Sequence, residues 1–347
     1  MGEPRGGPTV AGLFFCAARA LKPAMTHAIR IHESGGPEVL QWEAVQVAEP
    51  GPGQVKLRQE AAGLNYIDVY NRTGLYPQTF PFTPGVEGAG VVEALGSGVT
   101  GLSVGDRVAY AGPIGGYAEK RLIDADRLVK LPDSISTEQA AAMMLQGMTA
   151  WMLLRAVHRV QPGETILIHA AAGGVGLIVC QWAKALGATV VGTVGSDEKA
   201  ELARAHGCDH PIVYTRQDFV AEVARITDGR KLPVVYDSIG RDTFMQSIDC
   251  LAPRGMMVSF GNASGPVDPF SPALLAQKGS LFLTRPTLFN YIAARDELEQ
   301  ASSELFDMVG SGKVKVEIKQ RFALKDAAEA HRALESRRTT GSTVLTV

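Results

Sequence analysis

The sequence predicts an α/β protein in which a doubly wound parallel sheet accompanies a second, mostly β domain. Three observations lead to this prediction. A short apolar run from Thr165 breaks into glycines and resumes as a helical pattern, as in a strand–turn–helix unit. Strand and helix patterns then alternate as far as Thr284. The 347 residues exceed the usual size of one hydrophobic core, so we expect two domains.

The composition excludes several functional classes. Lys plus Arg number 34 against 36 acidic residues, without a long basic block, so we expect neither nucleic acid nor an anionic membrane as partner. No run approaches the ~20 apolar residues of a membrane span. The four cysteines, Cys16, Cys180, Cys208 and Cys250, are scattered, which favours buried thiols in a reducing compartment such as the cytoplasm.

The first 24 residues differ from the rest of the chain. They are rich in Gly and Pro and then carry a short apolar run, and we expect a disordered extension. A poor signal peptide is the alternative, although Glu3 offsets Arg5. Met25 opens the first strand pattern and is a natural first residue of the folded part.

Residues 25 to about 131 contain short strand patterns punctuated by glycine and proline, which predict a β domain of barrel type. Between Pro132 and Val160 the pattern becomes helical, with Ser136 as the expected N-cap. This change of period marks the entry into the α/β part.

The α/β part alternates regularly. Its predicted strands start at 165 and 189 and then span 210–214, 233–237, 255–261 and 280–284, with helices over 175–186, 197–205, 217–227 and 242–251. After Pro286 the pattern predicts a long helix to about Gly310, a strand over 315–322, a helix over 324–336 and a strand over 343–347. These last strands no longer follow the alternation, so we expect the tail to return to the first domain.

The turn after the first strand has the spacing of a dinucleotide-binding motif. Ala171, Gly173 and Gly176 are small enough for a tight turn and close helix packing, with alanine in place of the first glycine. The N–H groups of Gly174 and Val175 would then face a diphosphate. Glycine-rich turns also occur without a ligand, so the motif alone does not establish a dinucleotide site. The strand before it and the helix after it support that interpretation.

The end of the second strand determines which nucleotide fits. An enzyme specific for NAD would place an acid there, whereas this chain has Gly195 and Ser196, followed by Lys199 one turn into the helix. A 2′-phosphate fits beside these groups, which favours NADPH. The acidic residues Asp197 and Glu198 complicate the assignment of a phosphate site here. They are compatible with it if their side chains point outward and only interact with the positive end of the helix dipole. The alternative for Lys199 is an ordinary helix lysine whose ammonium group is solvated and binds no phosphate.

Ligands of doubly wound sheets collect at the carboxyl ends of the strands. At the fourth and fifth strands we expect contacts to ribose and carboxamide, and after the sixth strand a segment that closes the cleft. The residues concerned are Ser238, Phe260, Gly261, Asn262, Arg285, Pro286 and Leu288.

Seven motifs are distinctive: Gly35-Gly-Pro-Glu-Val-Leu, Gly63-Leu-Asn-Tyr-Ile-Asp-Val-Tyr, Gly74-Leu-Tyr-Pro, Ala170-Ala-Ala-Gly-Gly-Val-Gly, Tyr236-Asp-Ser-Ile-Gly, Val258-Ser-Phe-Gly-Asn and Leu283-Thr-Arg-Pro. From residue 25 onward the chain resembles the zeta-crystallin-like NADPH:quinone oxidoreductases, on the zinc-free branch of the medium-chain dehydrogenase/reductase superfamily. The resemblance implies a GroES-like β-barrel catalytic domain (25–133 and 287–347) around a Rossmann-type domain (134–286). It also implies NADPH in the cleft between them and a homodimer joined through the edge 280–284.

The same resemblance implies roles for individual residues. Asn65 and Asp68 would line the nicotinamide end, and Tyr70 and Tyr76 would flank the acceptor, so Asn65 and the two tyrosines are the candidate catalytic residues. An aromatic wall with hydroxyl groups suits a flat quinone. The alternatives are that Tyr70 packs on the barrel and that Tyr76 is an ordinary loop aromatic.

Three further positions match family residues near the cofactor. Thr149 would touch the nicotinamide ribose, Tyr214 would pack near the adenosine phosphate, and Arg337 would lie near the nucleotide. An ordinary helix threonine and a surface salt bridge are the alternatives for Thr149 and Arg337. His169, at the end of the first strand, is expected to be a core histidine bonded to backbone.

Metal is not expected. Where zinc-containing relatives place a cysteine after a glycine, this chain has Gly63-Leu-Asn, and where they have Gly-His-Glu it has Gly85-Val-Glu. The cluster His206-Gly-Cys-Asp-His falls at a predicted helix end and strand start, where the family uses no metal.

These observations predict a metal-free, NADPH-dependent quinone reductase acting on a small molecule. An enone or aldehyde reductase on the same scaffold is the alternative, because an activated double bond takes hydride in the same geometry. A rival of another class is a non-catalytic protein, either crystallin-like or an NADPH-sensing RNA binder. The balanced charge disfavours RNA binding.

Overall fold

The computed structural model describes residues 1–2, 25–336 and 338–347. The predictions for residues 3–24 and for Arg337 therefore lie outside the described residues. The described chain forms a two-stranded sheet, a seven-stranded sheet and a six-stranded sheet.

The first part of the chain is mostly β, as predicted. The elements are β1 (Met25–Arg30), β2 (Gln41–Gln46), β3 (Gln54–Leu64), α1 (Tyr66–Thr73), β4 (Glu87–Leu95), β5 (Arg107–Ala111), β6 (Lys120–Asp124) and β7 (Val129–Lys130). Short 3₁₀ turns lie at Pro37–Val39 and Ala125–Arg127. Helix α1 was not predicted. It starts where the Asp68 carboxylate accepts the backbone N–H of Asn65 at 2.9 Å, and it ends at Gly74, whose φ is 82°.

Two helices follow, α2 (Thr137–Ala141) and α3 (Met144–Trp151), and a π-helical segment at Met152–Val157 continues the second. The Ser136 hydroxyl accepts the N–H of Gln139 at 3.1 Å, which confirms the predicted N-cap. Helix α3 is apolar on nearly all sides, with Met144 and Met148 completely buried, so it lies inside the molecule.

The α/β part contains six parallel strands. The elements are β8 (Thr165–Ile168), α4 (Gly174–Ala185), β9 (Thr189–Val194), α5 (Asp197–Ala205), β10 (His210–Val213), α6 (Phe219–Ile226), β11 (Leu232–Asp237), α7 (Phe244–Asp249), β12 (Leu251–Ser259), α8 (Ala273–Gln277) and β13 (Phe282–Thr284). The spatial order is β10-β9-β8-β11-β12-β13. This confirms the predicted doubly wound sheet. The order reverses between β8 and β11, where such sheets form a ligand crevice.

The tail forms α9 (Leu288–Tyr291), α10 (Arg295–Gly310), β14 (Ile318–Ala323), a 3₁₀ turn at Leu324–Asp326, α11 (Ala327–Glu335) and β15 (Ser342–Thr346). Strand β15 pairs antiparallel with β3, and β14 pairs with β15. The tail therefore extends the antiparallel sheet. The single long helix predicted up to Gly310 is wrong, because the chain leaves the helical conformation after Tyr291 and starts a new helix at Arg295.

One apolar cluster runs through both parts of the chain. It joins Ala61 and Ala109 of the antiparallel sheet, the buried methionines of α3, and Val190 of the parallel sheet. The domain boundaries after residues 133 and 286 stay a prediction. None of the helices in the described ranges combines the length and the apolar character that crossing a bilayer requires.

Candidate active site

A cleft of about 1050 Å³ lies at the carboxyl edge of the parallel sheet. Its walls come from α1 and the loop after it, from α3, from the glycine turn before α4, and from the segments that follow β9, β11, β12 and β13. A second cavity of about 580 Å³ adjoins the cleft, and both are lined by Ile67, Tyr76, Thr287 and Phe289.

The glycine turn brings the start of α4 to the cleft. Ala170 has a left-handed φ of 54°, and the helix begins at Gly174 without a side-chain cap. A Cβ on Gly176 would lie 2.7 Å from the Ala171 Cα and closer still to the Ala170 carbonyl oxygen. Helix and strand thus approach as a dinucleotide turn requires, and the helix presents unpaired N–H groups to an anion. Gly173, Gly174, Val175 and Gly176 all line the cleft.

The end of β9 forms the next section of the wall. Gly195, Lys199 and Tyr214 line the cleft, and partial burial lowers the pKa of Lys199. Ser196 does not line it, because its hydroxyl caps α5 by accepting the Lys199 N–H at 3.3 Å. Asp197 points outward and pairs with Arg216. Asp197 is therefore engaged outside the cleft, and the exposed Glu198 does not line it either.

The opposite end of the cleft holds Asn65 in a buried polar network. Its Nδ2 donates to Glu87 Oε1 at 2.5 Å, and its Oδ1 accepts from Gln146 Nε2 at 3.0 Å. Glu87 and Gln146 were not predicted, because the Gly85-Val-Glu motif was interpreted only for its missing histidine. Burial raises the pKa of Glu87 to about 8.

Asp68 does not line the cleft. Its side chain is fully buried behind Asn65, where it accepts the Asn65 N–H and, at 3.1 Å, the Tyr117 hydroxyl. Burial raises the pKa of Asp68 to about 7. The capping position at the third residue after Asn65 turns this carboxylate inward, away from any bound cofactor.

Tyr70 and Tyr76 reach across the cleft to the parallel sheet. The Tyr70 hydroxyl accepts the Asn262 backbone N–H at 3.0 Å. The Tyr76 hydroxyl accepts from Arg285 Nη2 at 3.0 Å and from Asn262 Nδ2 at 3.4 Å. Their rings lie edge to face with centroids 5.2 Å apart. Burial raises the pKa of Tyr70 to about 12, so its phenol keeps its proton at neutral pH.

The remaining predicted residues in the described ranges also face this space. The cleft is lined by Thr149, Ser238, Phe260, Gly261, Asn262, Arg285, Pro286 and Leu288. Gly261 is needed for close approach, since a Cβ there would lie 2.9 Å from the Ser238 Cα.

His169 also lines the cleft, although no role was predicted for it. Its partners are side chains rather than the expected backbone groups: the hydroxyls of Thr193 and Ser247, each at 2.8 Å. Ser247 in turn donates to Asp237 at 3.0 Å, so it accepts the Nε2–H of a neutral imidazole. Burial lowers the pKa of His169, against the opposing charge of Asp237. This network ties the ends of β8, β9 and β11 together.

Within the described ranges, no group of three or more His, Cys, Asp or Glu side chains is placed to hold a metal ion. In the cluster at 206–210, His206 bonds to the Leu202 carbonyl oxygen and to Glu317, and Cys208 is buried.

Comparison with known families identifies the class. The model for the alcohol dehydrogenase GroES-like domain matches residues 51–133, and the model for zinc-binding dehydrogenase matches residues 174–307. The fold and the cleft therefore define a protein of the medium-chain dehydrogenase/reductase superfamily.

Individual relatives narrow this class. A quinone oxidoreductase of Pseudomonas aeruginosa is 55% identical over 323 residues, covering 92% of this chain and 99% of that protein. The crystal structure of Escherichia coli quinone oxidoreductase complexed with NADPH is 49% identical, with a TM-score of 0.91 over 92% of this chain and 100% of that one. A 2-haloacrylate reductase of Burkholderia is 47% identical, covering 92% and 99%. The chain belongs to the quinone oxidoreductase family, which confirms the resemblance seen in the sequence.

Proposed function

We propose that this chain is an NADPH-dependent quinone reductase. The observation that carries the proposal is that one cleft holds both an uncapped helix start behind a glycine turn and, across from it, two tyrosine hydroxyls. A dinucleotide and a flat acceptor can therefore be held face to face. Membership of the family supports the same activity, and the relative from Escherichia coli was crystallised with NADPH.

Each part of the cleft has a role in this reaction. NADPH supplies the hydride when bound. The N–H groups at the start of α4 bind its diphosphate, Lys199 binds the 2′-phosphate, and Ser238 and Phe260 flank the ribose and carboxamide.

Tyr70 serves the acceptor. Its oxygen accepts the Asn262 N–H, which leaves the phenol proton free to point toward a quinone oxygen. A quinone that receives a hydride and one proton becomes a hydroquinone, and the proton comes from this phenol or from solvent.

We propose that the reaction needs no metal. At the positions where zinc-containing relatives carry cysteine and histidine, this chain has Leu64 and Val86, which are not metal ligands. The neighbouring Asn65 amide is already engaged by Glu87 and Gln146. A quinone is electrophilic enough to accept hydride through positioning alone.

The second candidate function is an enone reductase, which the 2-haloacrylate reductase relative supports. The adjoining cavity of about 580 Å³ favours quinones, because it offers room for fused rings or substituents beyond Tyr76 and Phe289. A small acrylate would leave this space empty.

We expect purified protein with NADPH to reduce benzoquinone, naphthoquinone and phenanthrenequinone faster than 2-haloacrylate or simple enones. Loss of reduced-nicotinamide absorbance measures each rate, corrected for the reaction without protein. NADH in place of NADPH is the matched control and should support slower turnover. Faster reduction of an enone than of every quinone would make the second candidate the correct one.

We also propose a homodimer joined through β13 and the residues before it, 280–284. Strand β13 is an edge of the six-stranded sheet, and Phe282 is 58% exposed. An apolar strand edge that is exposed in a single copy is typical of a surface that a second copy covers. Phe282→Asp should halve the mass measured by light scattering. Val104→Asp, at another exposed apolar side chain, should leave it unchanged. A monomeric wild type contradicts this proposal.

For the compartment we propose the cytoplasm. Cys180, Cys208 and Cys250 are buried and unpaired, which is the usual state of thiols in a reducing environment.

A further inference from the structure

A continuous line of hydrogen bonds connects Glu87 on β4 to Ser342 at the start of β15. Ser342 Oγ donates to Gln146 Oε1 at 2.7 Å, Gln146 Nε2 donates to Asn65 Oδ1 at 3.0 Å, and Asn65 Nδ2 donates to Glu87 Oε1 at 2.5 Å. The other carboxylate oxygen accepts the Leu145 N–H at 2.7 Å. The four side chains come from β4, the start of α1, α3 and β15, and all are buried.

This line can run in either direction. In the arrangement described above, both Glu87 oxygens accept, which is the arrangement that an ionised carboxylate requires. If Glu87 is protonated, its O–H needs an acceptor, which Asn65 Oδ1 provides once the amide has turned over. The Gln146 amide then turns as well and donates to Ser342 Oγ, whose proton moves to the Ala142 carbonyl oxygen, 2.9 Å away. In both arrangements each of the three contacts along the line pairs one donor with one acceptor.

We propose that the protonation state of Glu87 sets the orientation of the Asn65 amide, which makes Glu87 a positioning residue for the nicotinamide end of the cleft. The inference rests on the proposed function and on the role that the family resemblance implies for Asn65, which lines the cleft and would lie at its nicotinamide end. The ionised form of Glu87 holds the productive orientation, and the protonated form inverts the amide.

The surroundings of Glu87 favour gain and loss of its proton at a pH slightly above neutral. Burial raises its pKa to about 8, and the charge of Asp68 on α1 acts in the same direction. Neighbouring elements contribute the phenols of Tyr110 and Tyr117, and the charge of Glu87 helps to raise the pKa of each. Gly63 allows β3 to pass directly over the carboxyl group, since a Cβ there would collide with Glu87 Oε1.

Glu87→Gln tests the direction of the line. A glutamine at this position has one acceptor, which the Leu145 N–H requires, so its NH₂ group faces Asn65 and donates. The variant therefore holds the inverted amide at every pH.

For the wild type we expect kcat with NADPH and naphthoquinone to rise roughly tenfold with pH, through a midpoint near 8; tenfold corresponds to about 1.4 kcal/mol. Glu87→Gln should be flat and match the low-pH rate, with KM changed less than kcat. Glu93→Gln is the matched control, because Glu93 lies on the same strand but pairs with Lys120 outside the network. A Glu87→Gln enzyme that keeps the wild-type midpoint overturns the inference.

A second readout does not depend on turnover. Infrared difference spectra of the wild type should show carbonyl bands of two protonated buried carboxyls, Asp68 titrating near pH 7 and Glu87 near pH 8. The band that disappears near pH 8 should persist in Asp68→Asn, whereas Glu87→Gln should keep only the Asp68 band. A wild type that is inactive with every acceptor but retains this titration disproves the proposed function alone. Absence of the band that disappears near pH 8 from both the wild type and Asp68→Asn disproves the role of Glu87, even if Glu87→Gln does not fold.

Discussion

Gly176→Ala should weaken NADPH binding by about a hundredfold, or about 2.8 kcal/mol. The added Cβ would meet the Ala170 carbonyl oxygen and lie 2.7 Å from the Ala171 Cα. Because these are backbone atoms on the strand side of the turn, they cannot rotate away, and α4 must move off the position from which its N–H groups face the diphosphate. A fluorescence titration with NADPH measures the change.

Gly310→Ala is the matched control. Gly310 is also a helical glycine, but a Cβ there meets nothing within 4 Å, so NADPH affinity should stay at the wild-type value. Thermal unfolding of both variants without nucleotide separates a local change at the turn from general loss of structure. Wild-type affinity in a folded Gly176→Ala protein would show that the turn does not hold the diphosphate.

Lys199→Ala should weaken NADPH binding by about thirtyfold while leaving NADH binding nearly unchanged. One charged hydrogen bond to a 2′-phosphate accounts for a difference of about thirtyfold in affinity, and NADH lacks that phosphate. Lys199 lines the cleft beside Gly195, while the nearby Asp197 is turned outward and paired with Arg216. Parallel titrations with the two nucleotides measure the ratio of affinities.

Lys184→Ala controls for the loss of a positive charge, because Lys184 lies on the neighbouring helix α4 and pairs with Asp209 away from the cleft. It should bind both nucleotides as the wild type does. If Lys199→Ala weakens NADPH and NADH equally, Lys199 does not select the 2′-phosphate.

The sequence predicted the elements whose signal is local. The six parallel strands and the Ser136 cap were visible as apolar runs and as a polar residue before a helical pattern, because both depend on neighbours a few residues away. Helix α1 was missed because eight residues between strands give little periodicity. The spacing of Asn65 and Asp68 was its one local sign.

The residues of the cleft also fall into those that a local pattern predicts and those that only the fold brings together. Gly176 and Lys199 could be predicted, since a motif and a strand end determine where they lie. The partners of Asn65 could not, because Glu87, Gln146 and Ser342 are separated by up to 255 positions in the chain and meet only in the folded protein.

By itself the sequence determined the two kinds of sheet, the glycine turn and the family, because hydrophobic period and small-residue spacing are properties of short segments. Only the tertiary structure decided that Asp68 turns away from the cleft, that Tyr70 and Tyr76 reach Asn262, and that Glu87 is bonded to Asn65. The physical reason is that a buried polar group must find a partner wherever packing places one, and packing brings together segments that no local pattern connects.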